Sequence, residues 1–295
     1  MRHYTLKNLY ILLGESGYLR WIPDKLYLKL LYKAMTNKSL RFSLLKTYNE
    51  KLQWLKLYYH NPRHTMYVDK YAVRTIIKEQ IGEQYLVPLL FLYTSVEEIK
   101  WEKLPNQFVM KCTHGSGYNI ICKDKRKLNI QDTSKKLRKW LKCNWQWVGK
   151  EWPYKHVVPR IIVEKYMAED SLTPLIDYKV LCFNGIPKLI EMHRNRFQDN
   201  WCQDFYDVAW NKLSISQKIN GLPNSELVSP KPANLPEMLD LSGKLAKGEP
   251  HVRVDWYMVG EKLYFGELTF FNGSGFYLFD NSEDDLLLGS WIHLG

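Results

Sequence analysis

From residue 108 onward, apolar side chains recur at every second position in short runs, and the breaks between several of these runs are too short for anything but a turn. Residues 108–113 (FVMKCT) and 120–123 flank the glycine loop 114–119 (HGSGYN). Asn184-Gly185 separates 176–184 (IDYKVLCFN) from 188–194 (KLIEMHR), and Gly260-Glu261 separates 251–259 (HVRVDWYMV) from 262–268 (KLYFGEL). Such breaks require each pair to fold back as a hairpin, because a parallel pairing needs a crossover of a dozen residues or more. Residues 161–166 (IIVEKY) and 205–210 (FYDVAW) read as further strands. This stretch is therefore a β-rich body.

The preceding stretch has helical spacing. Leu and Tyr fall at helical intervals over 24–35 and 48–59, and the periodicity also predicts an amphipathic helix over 69–81 closed by Gly82. Residues 85–93 (YLVPLLFLY) read as a strand, and 95–101 as a short helix capped by Ser95. Within the β-rich body, 123–142 reads as a strand end followed by a basic amphipathic helix, 211–236 as a long polar loop, and 238–247 as a helix ended by Gly248. The fold class is α+β.

Composition narrows the function classes. The charge is +11, which favours polyanionic partners, yet no zinc-finger spacing, basic-plus-heptad region or aromatic RNA-binding pattern is visible. A nucleic-acid partner is not expected. The five cysteines are odd in number and lack any CxxC pair, so neither a disulfide frame nor a zinc site is implied; Cys112, Cys122 and Cys182 read as small core residues. The N-terminal apolar stretch is too short and polar for a spanning helix, and a cytoplasmic protein with some contact at the inner membrane surface is expected.

Four constellations carry chemistry. In the first, Lys111 precedes the loop His114, Gly115, Ser116, Gly117, Tyr118, Asn119; glycines there let backbone N–H groups approach a phosphate chain while the lysine adds a cation. A strand follows this loop, which excludes a Walker A motif. In the second, Glu164, Lys165, Tyr166 and Met167 end a strand whose edge suits a purine. In the third, Asp177 and Lys179 share one strand face. In the last, Arg253 and Asp255 share a face across a tight hairpin from Glu267, so two carboxylates converge beside an arginine, an arrangement suited to Mg²⁺ and a phosphoryl group. Asn272-Gly273-Ser274-Gly275 is a second small-residue loop. His114, His193 and His251 lie near these motifs, but nothing in the sequence singles out a general base.

In this order the motifs resemble an ATP-grasp domain, and YNEKLQWLK, VDKYAVR, FVMKCTHGSGYN, DYKVLCFNG, RVDWY and GELTFFNGSG together resemble its TupA-like branch, teichuronopeptide-type amidoligases of bacterial surface-polysaccharide loci. The resemblance implies an ATP-grasp fold with a helical N-terminal region (1–66), a pre-ATP-grasp subdomain (67–105) and a nucleotide-binding and catalytic domain (106–295) of two β-rich subdomains. It implies ATP and Mg²⁺ as cofactors. Lys111 and the loop 114–119 would hold the phosphates, residues 164–167 the adenine edge, and Lys179 the phosphates from a facing strand. Asp255 and Glu267 would ligate Mg²⁺, and Arg253 would act in catalysis with Lys179. Many ATP-grasp enzymes carry an Asn where this chain has Thr269, which stands as the third metal position, with Asn272 as an alternative. The implied reaction is ATP-dependent amide formation through an acyl phosphate, between an amine or amino acid and an acidic sugar or polysaccharide precursor. The rival readings are a glycosyltransferase, an ATP-grasp-like kinase, and a binding module resting on charge alone.

Overall fold

The structure is a computed structural model, and it describes residues 13–14, 16–167, 176–195, 199–217 and 222–295. The chain divides into two compact units. The first takes in Met1–Ile22, Asn61–Glu79 and Leu86–Met167, and the second Pro23–His60, Gln80–Tyr85 and Ala168–Gly295.

The first unit is built on a four-stranded antiparallel sheet of β1 (Leu89–Tyr93), β2 (Phe108–Cys112), β3 (Asn119–Cys122) and β4 (Ile161–Lys165), in the order β1-β4-β2-β3. Alternation along β2 sends Phe108, Met110 and Cys112 into the core at 0% exposure and leaves Val109 and Lys111 on the other face. Leu137, from the helix Ile130–Leu141, joins that core. Asn129 starts the helix by accepting from the Asp132 amide, as an N-cap should.

Two helix expectations in this unit need correction. The segment 69–81 is not one helix: His64–Val68 and Val73–Gln80 are separate. Asp69 turns its carboxylate onto the amides of Tyr71 and Ala72, and this local turn competes with helix until Val73. Residues 95–100 form bends and a turn, with a 3₁₀ turn at Trp101–Lys103. There the Glu98 carboxylate reaches back to the Thr94 amide and hydroxyl at 2.7 and 2.6 Å, closing the chain before a helical ladder can start.

The second unit carries a six-stranded antiparallel sheet of β5 (Ile176–Phe183), β6 (Ile186–Arg194), β7 (Cys202–Asp207), β8 (Lys212–Leu213), β9 (His251–Val259) and β10 (Lys262–Thr269), in the order β10-β9-β5-β6-β7-β8. Val180, Val254, Trp256 and Tyr206 fill one face at 0% exposure, with Met238 of the helix Leu235–Leu245. The Trp256 indole N–H donates to Ser242 of that helix. A second helix, Tyr48–Tyr58, begins in a full capping box between Thr47 and Glu50. Its stripe of Asn49, Gln53 and Lys56 is buried, and these side chains grip the loop 274–277 by hydrogen bonds to its backbone.

Two β-bulges decide which side chains meet on the sheet's other face. Between Leu181 and Cys182 the pairing of β5 with β6 slips by one residue, at Pro187, which has no N–H to give a ladder. Between Phe265 and Leu268, β10 uses three steps where β9 uses two, from Trp256 to Val254. Phe265 and Leu268 therefore both enter the core, and Glu267 and Thr269 are turned onto the face of Arg253 and Asp255. Gly266 sits inside this bulge, where an added Cβ would lie 3.1 Å from the Asp255 carbonyl oxygen.

The expected core roles hold: Cys112, Cys122 and Cys182 are buried, and all five cysteines are free. Among the described residues, no helix is long and apolar enough to cross a membrane.

Candidate active site

In the first unit, Lys111 and Glu164 stand on adjacent strands, and their side chains form an ion pair of 2.8 Å. Arg74, from the helix Val73–Gln80, approaches the other Glu164 oxygen at 3.3 Å and donates to the Val87 carbonyl. Glu164 thus fixes two cations. Lys165 is exposed, and Tyr166 and Met167 are half-buried as the chain leaves β4.

The loop after Lys111 has a fixed base and an open tip. Thr113, His114 and Gly115 are buried; Ser116, Gly117 and Asn119 are exposed. Lys70 donates to the Gly115 carbonyl at 2.6 Å, and one ring nitrogen of His114 lies 2.9 Å from the Trp140 carbonyl. Burial lowers the His114 pKa, so the ring is a neutral anchor. Tyr118 stacks on Trp140 at 5.4 Å, and it is this ring that a Cβ at Gly115 would strike. Gly117 has φ +74°, the left-handed region that glycine enters without strain, and a Cβ there would meet nothing. Trp145 stands edge-on to Tyr118, and Trp152 stacks on His64 at 5.6 Å, so both rings pack within this unit.

In the second unit the charged face is packed tightly. The ladder sets Lys179 opposite both Asp255 and Glu191. The Lys179 ammonium lies 2.8 Å from Asp177 and 2.7 Å from Asp255. Arg253 grips Asp255 with two parallel N–H donors at 2.6 and 2.7 Å, reaches Glu267 at 3.3 Å and donates to the Asn272 side chain at 2.6 Å. The Thr269 hydroxyl lies 3.4 Å from Glu267. Burial alone would lower the Lys179 pKa, but Asp177 and Asp255 hold it above its ordinary value; Asp255 does the same for Arg253. Both stay charged.

Sequence reasoning missed one member of this face. Glu191 is 1% exposed and one of its oxygens, Oε1, lies 2.6 Å from His193 Nε2. Burial pushes its pKa up, yet His193, by hydrogen bond and by charge, and then the charges of Arg253 and Lys179 outweigh this and hold it down to about 2. A bulge-free hairpin around Asn184-Gly185 would place Ile190 opposite Lys179; Pro187 is the signal that marked the slip. Tyr277 also borders the cluster, its hydroxyl pushed up to about 12 by burial first and then by Glu191.

The donor set can be tested against Mg²⁺. Four carboxylates (Asp177, Glu191, Asp255, Glu267) surround two permanent cations (Lys179, Arg253), leaving an excess of negative charge equal to one divalent ion. Among the described residues, no three acidic, His or Cys side chains gather into a self-sufficient metal cage. Mg²⁺ asks for less: one or two carboxylates, with phosphate oxygens and water completing the octahedron. Asp255 and Glu267 fit that demand. Glu267 has a side chain 33% exposed, the most open of the contacting acids.

The profile of the TupA-like ATP-grasp family matches residues 50–293. Similar solved structures include the D-alanine–D-alanine ligase of Bacillus anthracis complexed with ATP, with 16% identity over 70% of this chain and 55% of that one, at a TM-score of 0.41. The D-alanine–D-alanine ligase of Helicobacter pylori has 13% identity over 84% and 67%, at 0.42. The ATP-grasp ligase PsnB with minimal precursor, Mg and ADP has 12% identity over 75% and 56%, at 0.38. The chain spans just over half the length of the Bacillus anthracis ligase and of PsnB. No functionally curated protein matches it.

Proposed function

We propose that this chain, which belongs to the TupA-like ATP-grasp family, is an ADP-forming ligase that joins an amine or amino acid to the carboxylate of an acidic sugar, as an amide, in the assembly of a surface polysaccharide. Family membership supports ATP-dependent carboxylate–amine ligation in general. The sugar and the amide are the finer part of the reading, and the net charge of +11 supports an acidic acceptor.

The observation that carries the reading is the guanidinium of Arg253, bound to Asp255, Glu267 and Asn272 at once. Among the described residues, four of its five N–H donors are engaged, and one on Nη1 is left for a phosphoryl or acyl oxygen. A donor fixed in this way needs no reorganisation when charge develops on the oxygen. In the first step a carboxylate oxygen bonds to the γ-phosphorus of ATP, and the bridging oxygen leaves as ADP. In the second an amine nitrogen bonds to the acyl carbon, and phosphate leaves with the C–O electron pair. Lys179 adds fixed positive charge on the sheet face of the second unit. In the first unit, Lys111 and the amides of the loop 114–119 are the groups suited to phosphate oxygens. Mg²⁺, held by Asp255 and Glu267 with Thr269 beside them, would supply neutralisation of phosphate charge.

The test is release of ADP and phosphate from Mg·ATP against a panel of uronic-acid glycans and amino acids. Release that requires both a carboxylate and an amine, and that disappears in Glu267→Gln, is the expected result. A phosphorylated sugar with no amide would replace the ligase with a kinase.

A further inference from the structure

Residues 23–46, all in the second unit, carry six cations, Lys25, Lys29, Lys33, Lys38, Arg41 and Lys46, against one acid, Asp24. Every one of the six is exposed. The segment opens with the helix Asp24–Thr36, which follows Pro23 and ends at Asn37, in the left-handed region at φ 58°. One side of this helix is core, where Tyr27, Leu28, Leu31 and Tyr32 are buried. Lys25, Lys29 and Lys33 recur every four residues and form a row turned away from that core. Leu26 and Leu30 form a second row beside the lysines, and Leu44 lies in the turn that follows Arg41; these three leucines are 45–54% exposed. Aromatic rings adjoin the lysine row. The Lys25 ammonium stands over the Phe42 ring at 5.7 Å, Phe42 meets Tyr58 edge-on at 6.1 Å, and Tyr58 packs on Trp54 at 5.2 Å. Tyr58 is exposed and Trp54 half-buried, on a side of the helix Tyr48–Tyr58 away from the stripe that holds the loop 274–277.

We propose that this face docks the second unit on a bilayer that contains anionic phospholipid. A single exposed leucine needs no explanation, but stacked leucines beside a row of lysines ask for a partner that satisfies both. A soluble polyanion would answer the lysines and gain nothing from the leucines. An acidic bilayer answers both. Lysine stems lie along apolar surface while their ammonium groups stay at the level of the lipid phosphates. Leucines enter the boundary of the acyl chains, and tyrosine and tryptophan rings sit among the headgroups. The helix would lie in the plane of the interface, held by charge and by buried apolar area together. Cations near such a surface each add about 1 kcal/mol, an attraction that salt screens. The docking is independent of the reaction proposed above, because none of these side chains belongs to the charged face of Arg253 and Lys179.

The test is co-sedimentation of the full chain with vesicles, in the absence of ATP. Vesicles of phosphatidylcholine mixed with phosphatidylglycerol should carry the chain down, vesicles of phosphatidylcholine alone should not, and raised salt should release it. Replacing Lys25, Lys29 and Arg41 together by Gln should weaken binding to the mixed vesicles about 10²-fold. Leu26→Ser combined with Leu30→Ser should weaken it about 10-fold with every charge in place. All five side chains are exposed, so both variants should keep the parental urea midpoint, which separates loss of docking from loss of fold. No binding to the mixed vesicles, or equal binding to both kinds, would overturn the proposal. So would a leucine variant that binds as the parent does, since the lysines would then be a site for any polyanion, an acidic glycan included.

Discussion

Lys111 in the first unit and Lys179 in the second are both strand lysines held by carboxylates, yet they are held differently. The Lys111 side chain is 16% exposed, its partner Glu164 has Arg74 as a second cation, and the adjacent loop ends in an open tip. The Lys179 side chain is 9% exposed between Asp177 and Asp255, each 4% exposed. If Lys111 moves to a ligand, Glu164 keeps a partner. If Lys179 moves, it leaves ion pairs with two buried acids at once, and breaking a buried ion pair costs several kcal/mol. In the proposed ligase, the first arrangement would follow a nucleotide as it enters and leaves, and the second would be a fixed electrostatic frame of the kind that stabilises a developing charge.

The comparison breaks if the second unit tolerates the loss of its central cation. Arg253→Met leaves Asp255 with Lys179 alone and removes the buried donor shared by Glu267 and Asn272, and should cost about 3–5 kcal/mol in denaturant unfolding, with ATP-dependent turnover down about 10³-fold or more. Survival of either quantity near the parental level would show that the frame is not what holds the site.

Acid should weaken the second unit next. Burial pushes His251 down to about 4 from 6.5, and Tyr48 and the Phe270 carbonyl bond its neutral ring. The unfolded chain therefore binds the proton first, and stability should drop as pH falls from 6.5 towards 4. Glu191 adds a lower window: its contribution is complete above 4.5 and is lost as pH falls towards 2. Urea midpoints followed by probes in the second unit should show both declines, and His251→Gln should flatten the upper one. A parental midpoint unchanged between pH 7 and 4 would argue against a buried neutral His251.

Smaller effects belong to the first unit. Lys111→Ala leaves Arg74 on Glu164, so about 1–3 kcal/mol of stability should go, while ATP affinity by calorimetry weakens well beyond that of the neighbouring Lys165→Ala. Smallest is Gly117→Ala. Its Cβ meets nothing, so only the left-handed backbone at φ +74° is penalised, by about 1 kcal/mol. A large loss of fold there would mean that the tip is packed, not open.

Much of this was legible in residue order. Alternation placed Phe108, Met110 and Cys112 inside and Lys111 outside, and the turn at Gly260-Glu261 brought Arg253, Asp255 and Glu267 to one end of a hairpin. Period-two reasoning alone would have put Glu267 on the same face as Phe265; only the bulge at Gly266 turns it to Arg253. The same physics hid Glu191, because a bulge changes register without changing composition, and Pro187 was its sole local mark. Helix ends were hidden by side chains: Asp69 and Glu98 each satisfy backbone amides that a helix would have used. Spacing shows which residues alternate, but register depends on where the ladder slips.

The most direct measurement of the central claim is a trapping experiment. The chain is incubated with Mg·ATP, hydroxylamine and carboxylated sugars, and hydroxamate is counted against ADP. Carboxylate activation predicts one hydroxamate per ADP, with both lost in Arg253→Met. ADP formed without hydroxamate, or in step with a phosphorylated hydroxyl, would contradict it.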